Sequence, residues 1–102
     1  MNSKVGLFLR LEAKLGKEAD VADFLINALP MILEEPDTTA WFGLQLGPTT
    51  FGISDAFPHE DGRKAHITGK VGDILRATWS EMLACPPTIE KLSILASKLP
   101  AQ

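Results

Sequence analysis

The residues from Ala40 to Gly69, AWFGLQLGPTTFGISDAFPHEDGRKAHITG, restrict the fold more than any other part of the chain. Gly47-Pro48 separates two runs, Thr39–Leu46 and Thr50–Phe57, that are rich in aromatic and β-branched residues. That composition suits paired strands, and the Gly-Pro pair marks the turn between them. Phe57-Pro58 closes the second run. His59, Glu60, Asp61 and Gly62 then open a helix that carries Arg63-Lys64-Ala65-His66. A short helix that starts where a strand ends must fold back over the sheet it has just left. His66 is therefore placed to face that sheet, and it is the best chemical lead in the chain.

The flanking segments extend the pattern. Val5, Leu7, Leu9, Leu11 and Ala13 alternate with Gly6, Phe8, Arg10, Glu12 and Lys14, which is the period of a strand with one apolar face. Gly16 interrupts it. From Lys17 the period lengthens, and Val21, Phe24, Leu25, Ala28, Ile32 and Leu33 recur at helical spacing. Pro30 lies inside this run, where it removes an amide that would bond back to Ile26, so a kink or break is expected there. Gly69 and Gly72 divide the later helical region into a short piece ending near Thr68 and a longer one from about Val71 to Leu83. In the longer piece Val71, Ile74, Leu75, Thr78 and Met82 form one face, bordered by Trp79. Pro86-Pro87 stop it, and Thr88 to Leu99 reads as a final strand.

At 102 residues one domain, 1–102, is expected. A formal net charge of −3 and scattered Lys and Arg argue against a nucleic-acid or membrane-surface partner. No run reaches membrane-spanning length, and the first residues lack the basic, apolar and small-residue regions of a signal peptide. Cys85 is the only cysteine, so an internal disulfide is impossible and a reducing, cytoplasmic setting is expected. Beside Pro86-Pro87, with no histidine nearby in sequence, Cys85 is read as a small apolar residue at a helix end.

The order β-α-β-β-α-β in about a hundred residues is the split βαβ, or ferredoxin-like, arrangement of the α+β class. It places the helices on one face of a four-stranded antiparallel sheet. The opposite face then needs cover, to which Phe8, Phe51, Ile53 and Phe57 are candidate contributors. Two sheets packed about a twofold axis would supply that cover, so a homodimer is expected.

With that order in place, three stretches resemble the antibiotic biosynthesis monooxygenase family of dimeric α+β-barrel proteins. They are the first strand running into a glycine, Val5–Gly16; the hairpin end Asp55-Ala56-Phe57; and the helix start Glu60-Asp61-Gly62-Arg63-Lys64-Ala65-His66-Ile67-Thr68-Gly69. The resemblance covers nearly the whole chain. It implies a pocket between sheet and helices that holds an aromatic, polyketide- or quinol-like molecule. It further implies a monooxygenase reaction needing no cofactor, in which the substrate itself supplies the electrons to oxygen. On that basis His66 is the proton acceptor. Trp41 and Trp79 offer an indole donor or a stacking wall, Arg76 a cation for an anionic intermediate, and Leu7, Leu9, Phe24 and Ile74 apolar walls. In the haem-degrading branch an asparagine, a tryptophan and a histidine form the site. Leu9, His66 and Arg76 stand in those places here, so haem degradation is not expected.

The bland readings stand beside these. His66 also fits a helix-border histidine bonded to a carbonyl, and both tryptophans also fit the core. His59, after Pro58, is expected in solvent. Two histidines seven residues apart, with no cysteine or carboxylate set at ligand spacing, do not make a metal site. Arg63 and Arg76 read as surface residues with apolar stems, and Arg10 and Asp55 either as a charge pair in a barrel interior that fixes dimer register or as residues in solvent or on the rim. A non-catalytic module that binds a hydrophobic metabolite is the alternative function. An interaction protein whose pocket is filled by its own side chains is a third.

Overall fold

The computed structural model describes residues 3–100. They form β1 (Val5–Glu12), α1 (Glu18–Ile32), β2 (Ala40–Gln45), β3 (Thr50–Phe57), α2 (Glu60–Ile67), α3 (Lys70–Met82) and β4 (Thr88–Ser93). The strands make one antiparallel sheet in the order β2-β3-β1-β4. This is the ferredoxin-like α+β arrangement, with its second helix split at Gly69 as the glycine spacing indicated. At the α1 entrance Gly16 has φ 87°, a left-handed conformation that a side chain would resist.

Register decides which residues meet the helices. Leu7 lies opposite Asp55 and Leu9 opposite Ile53, while Asp55 in turn lies opposite Trp41. Residues directly opposite share a face. Leu7, Leu9, Leu11, Phe51, Ile53 and Phe57 therefore enter one core with Val21 and Leu25 of α1 and Leu75 and Met82 of α3. A smaller cluster of Ala28, Ile32 and Val71, with Phe24 and Trp41 against it, ties α1 to α3.

The same register corrects the expected composition of the other sheet face. Phe51, Ile53 and Phe57 are buried under the helices, and only Phe8 of the four candidates lies on the open side. Phe42, Leu44 and Leu92 join it there and are exposed, Phe42 at 57%. Arg10 is also on that side, paired with Glu12 at 3.4 Å, so it does not pair with Asp55 on the helix side.

Three further expectations are corrected. α1 runs through Pro30 without a break. The proline sits within the last turn, where few bonds remain to lose, and Ile26 and Pro30 both face solvent. β4 stops at Ser93 because its partner β1 starts at Val5, opposite Ser93; one more bond joins Ile94 N–H to the Lys4 carbonyl, and Leu95 is already in solvent. Arg63 is not a surface residue. It is 8% exposed, and its guanidinium donates to the carbonyls of Gly6 (3.1 Å) and Leu92 (3.2 Å) while gripping both carboxylate oxygens of Glu60. The bidentate ion pair neutralises the charge that burial would otherwise penalise, and the two carbonyl bonds pin α2 to β1 and β4. Cys85 is exposed, away from the packed interior.

Candidate functional site

His66 and Arg63 lie one turn apart on α2, so both turn toward the sheet. His66 is buried against the ring of Phe57, with centroids 5.3 Å apart and planes tilted by 44°. Its two nitrogens meet carboxylates from two other parts of the chain. Nδ1 donates to Glu35 Oε1 at 2.7 Å, in the loop after α1. That oxygen also accepts the Thr38 hydroxyl at 2.6 Å. Nε2 lies 3.1 Å from Asp55 Oδ2 on β3. The approach to Asp55 is close but poorly aligned, and Oδ2 has no directed hydrogen bond among the described residues. It is held by charge more than by bond geometry. The other Asp55 oxygen accepts the Leu7 amide at 3.2 Å, and the carboxylate is wholly removed from solvent.

Burial pulls the His66 pKa down, but the neighbouring carboxylates of Asp55 and Glu35 outweigh it, and the net shift is upward from 6.5. The two carboxylates thus favour the protonated ring, Glu35 through a hydrogen bond and Asp55 through a close charge contact. The proton-acceptor role expected of His66 requires the neutral form, so it becomes available only as pH rises through that elevated value. Both nitrogens face carboxylates, and no group of three His, Cys, Asp or Glu side chains among the described residues is arranged to hold a metal ion.

His66 forms part of two hollows. On one side is a cavity of about 170 Å³ between the sheet and α3. Its inner wall is Leu7, Leu9 and Ile53; Ile67, Val71, Leu75 and Trp79 come from the helices, and Pro87, Ile89, Gly72 and Arg76 complete it. On the other side is a crevice of about 180 Å³ lined by Glu34, Glu35, Asp37 and Thr38 with Gly62 and Ala65. The ring therefore stands in a partition between an apolar interior and an acidic outer groove.

Of the residues expected in the site, the structure brings Leu7, Leu9, His66, Arg76 and Trp79 around one cavity. It leaves out Phe24, Trp41 and Ile74. Trp41 is on edge strand β2, beyond Asp55 from Leu7, and bends over Gly43 toward Leu25 of α1. Phe24 joins it there. Ile74 is exposed because Val71, Leu75 and Met82 take the inward line of α3, and Ile74 precedes Leu75 by about 100° of helix rotation. Arg76 is half in solvent, bonded to Asp73 and to the Ile67 carbonyl at 3.0 Å.

Glu35 was missed from sequence, and of the alternatives offered for Asp55 neither the pair with Arg10 nor a place in solvent is what forms. Asp55 carried a usable signal: it occupies the apolar register of β3 with Phe51, Ile53 and Phe57, and a carboxylate buried there must find a cation. Glu35 carried none, because its loop is brought to α2 only by the tertiary fold.

No family model matches the chain. The chain is 37% identical over an 83-residue alignment to zebrafish (Danio rerio) focadhesin, a match that covers 76% of this chain but only 4% of that much longer protein. The NE2512 protein of unknown function from Nitrosomonas europaea is 53% identical, covers 98% of this chain and 97% of its own, and superposes with a TM-score of 0.96. Proposed antibiotic biosynthesis monooxygenases from Caulobacter crescentus (16% identity, TM-score 0.79, covering 92% of both chains) and from N. europaea (18%, 0.81, covering 90% of this chain and 99% of that one) share the fold. No helix among the described residues is long and apolar enough to cross a membrane. By sequence the chain belongs to the family of the N. europaea NE2512 protein, and its ferredoxin-like fold is the one those two more distant proteins share.

Proposed function

We propose that the protein is a cofactor-independent monooxygenase that oxidises a small aromatic, quinol-like molecule with molecular oxygen. The observation that carries this reading is an apolar cavity with a buried, carboxylate-held histidine in its wall. In such a reaction a CH₂ or activated ring carbon loses a proton, and the carbanion or enolate passes its electrons to O₂. For a quinol the balance is complete without a second reductant: the ring carbon gains a hydroxyl and the quinol becomes a quinone, so one oxygen atom stays in the product and the other leaves as water with two of the substrate's hydrogens. His66 receives the proton once it is neutral, Asp55 and Glu35 hold the ring in place, and the apolar walls keep water from the anion.

The alternative, a binding module without turnover, has one observation in its favour: both His66 nitrogens are already engaged. Oxygen uptake with a panel of single-ring quinols separates the two. The oxygenase reading expects uptake above the buffer rate that rises with pH and drops at least about a hundredfold in His66→Ala. No uptake with any compound, or equal rates in mutant and wild type, leaves the binding module.

The reading includes a cytoplasmic homodimer closed through the open sheet face. Its support is that Phe8, Phe42, Leu44 and Leu92 lie on one side of the sheet with no helix over them. Light scattering at micromolar concentration should give twice the chain mass, and a monomer would end that part of the reading.

A further inference from the structure

We infer that the cavity takes a single-ring arene that carries an anionic group, inserted ring first, with the anion at the rim against Arg76. The inference rests on the cavity being a ligand site, as proposed above, and it names the class of ligand.

Size limits the buried part. An apolar cavity of about 150 Å³ is known to accept benzene, so the 170 Å³ here suits one substituted ring and not a fused polycycle. The walls suit a ring as well. Leu7, Leu9, Ile53 and Leu75 surround it, and the half-buried Trp79 supplies a flat surface.

Charge sets the orientation. The ionisable side chains lining the cavity are His66 and Arg76, both basic, and no carboxylate among the described residues lines it. His66 offers an anion little. Its nitrogens face Glu35 and Asp55, and those two carboxylates oppose an anion at that end of the cavity. An inserted carboxylate would be repelled there and would lose its water, whereas a ring loses nothing. Arg76 differs. Its side chain is 54% exposed, which places it at the rim, and it uses two of its five N–H donors, on Ile67 and Asp73. The remaining donors can meet an anion that stays partly hydrated. Arg76 and Trp79 are one turn apart on α3, so cation and aromatic wall serve the same molecule.

Calorimetric titration of the full chain at pH 7 with benzoate, benzamide and benzylammonium tests this. Benzoate should bind at least tenfold more tightly than benzamide, and benzylammonium more weakly than either. Arg76→Gln should bring benzoate and benzamide within twofold of each other by weakening benzoate alone, while Arg76→Lys keeps most of the preference. Methyl resonances of Leu7, Leu9 and Ile53 should shift on adding benzoate. Equal affinities, a preference that survives Arg76→Gln, shifts confined to other residues, or no binding of any probe would each overturn the inference. Because binding is read without turnover, protein that binds benzoate as described but consumes no oxygen keeps this inference and loses the oxygenase reading. Protein that oxidises quinols but ignores the charge of the probe does the reverse.

Discussion

Asp55→Ala should destabilise the protein by about 3–5 kcal/mol, the usual cost of removing one partner from a buried ion pair. That is a large part of the roughly 5–15 kcal/mol that holds a domain of this size together. Two losses combine. His66 is left as a buried cation with Glu35 alone, and the Leu7 amide loses its acceptor inside the sheet. Asp55→Asn separates them, because its amide oxygen can still accept from Leu7 while the charge is gone; it should cost less than alanine. Urea unfolding gives both numbers, and an Asp55→Ala midpoint within error of wild type would show that the row of Asp55, His66 and Glu35 contributes nothing to stability.

The pH dependence of the same measurement carries the sign. The folded-state pKa of His66 lies above its unfolded value of 6.5. Its contribution is therefore complete below pH 6.5 and is lost as pH rises through the elevated folded value. Wild type should weaken over that window, and Asp55→Asn should weaken less, because one of the two carboxylates that raise the pKa is gone.

Phe57→Ala should cost about 3–5 kcal/mol, in the range for a fully buried phenylalanine. Phe57 is wholly buried at the end of β3 and touches both the main core and the His66 ring. Its removal opens a void against a charged side chain, and that void can take in water. The backbone there is tied down independently, since the Phe57 carbonyl accepts the Lys4 amide at 2.9 Å, so β3 itself should persist. The expected outcome is a lower urea midpoint with unchanged far-ultraviolet dichroism. A change below about 1 kcal/mol would mean that the sheet can close over the gap.

Local periodicity set out most of the architecture. The alternation in Val5–Ala13, the Gly47-Pro48 turn and the glycines at 69 and 72 are short-range signals, and each element they marked is present. His66 was legible for the same reason: a helix that follows directly on a strand turns its near face toward that strand. Leu7 and Leu9 followed from the parity of β1. Trp41 and Ile74 were misplaced because periodicity tells which side of an element is apolar but not what lies above it. Arg63 was misjudged because a long cationic side chain is equally at home in water until a partner and two carbonyls are brought to it.

Order and type of elements, the apolar face of each strand and the inward histidine thus came from the chain's own neighbours in sequence, where spacing is dictated by covalent geometry. Which carboxylates clasp that histidine, and hence its charge, was decided only by folding. Glu35 and Asp55 stand 31 and 11 residues away from it in the chain, and the contacts that raise its proton affinity exist only when loop, sheet and helix are packed together.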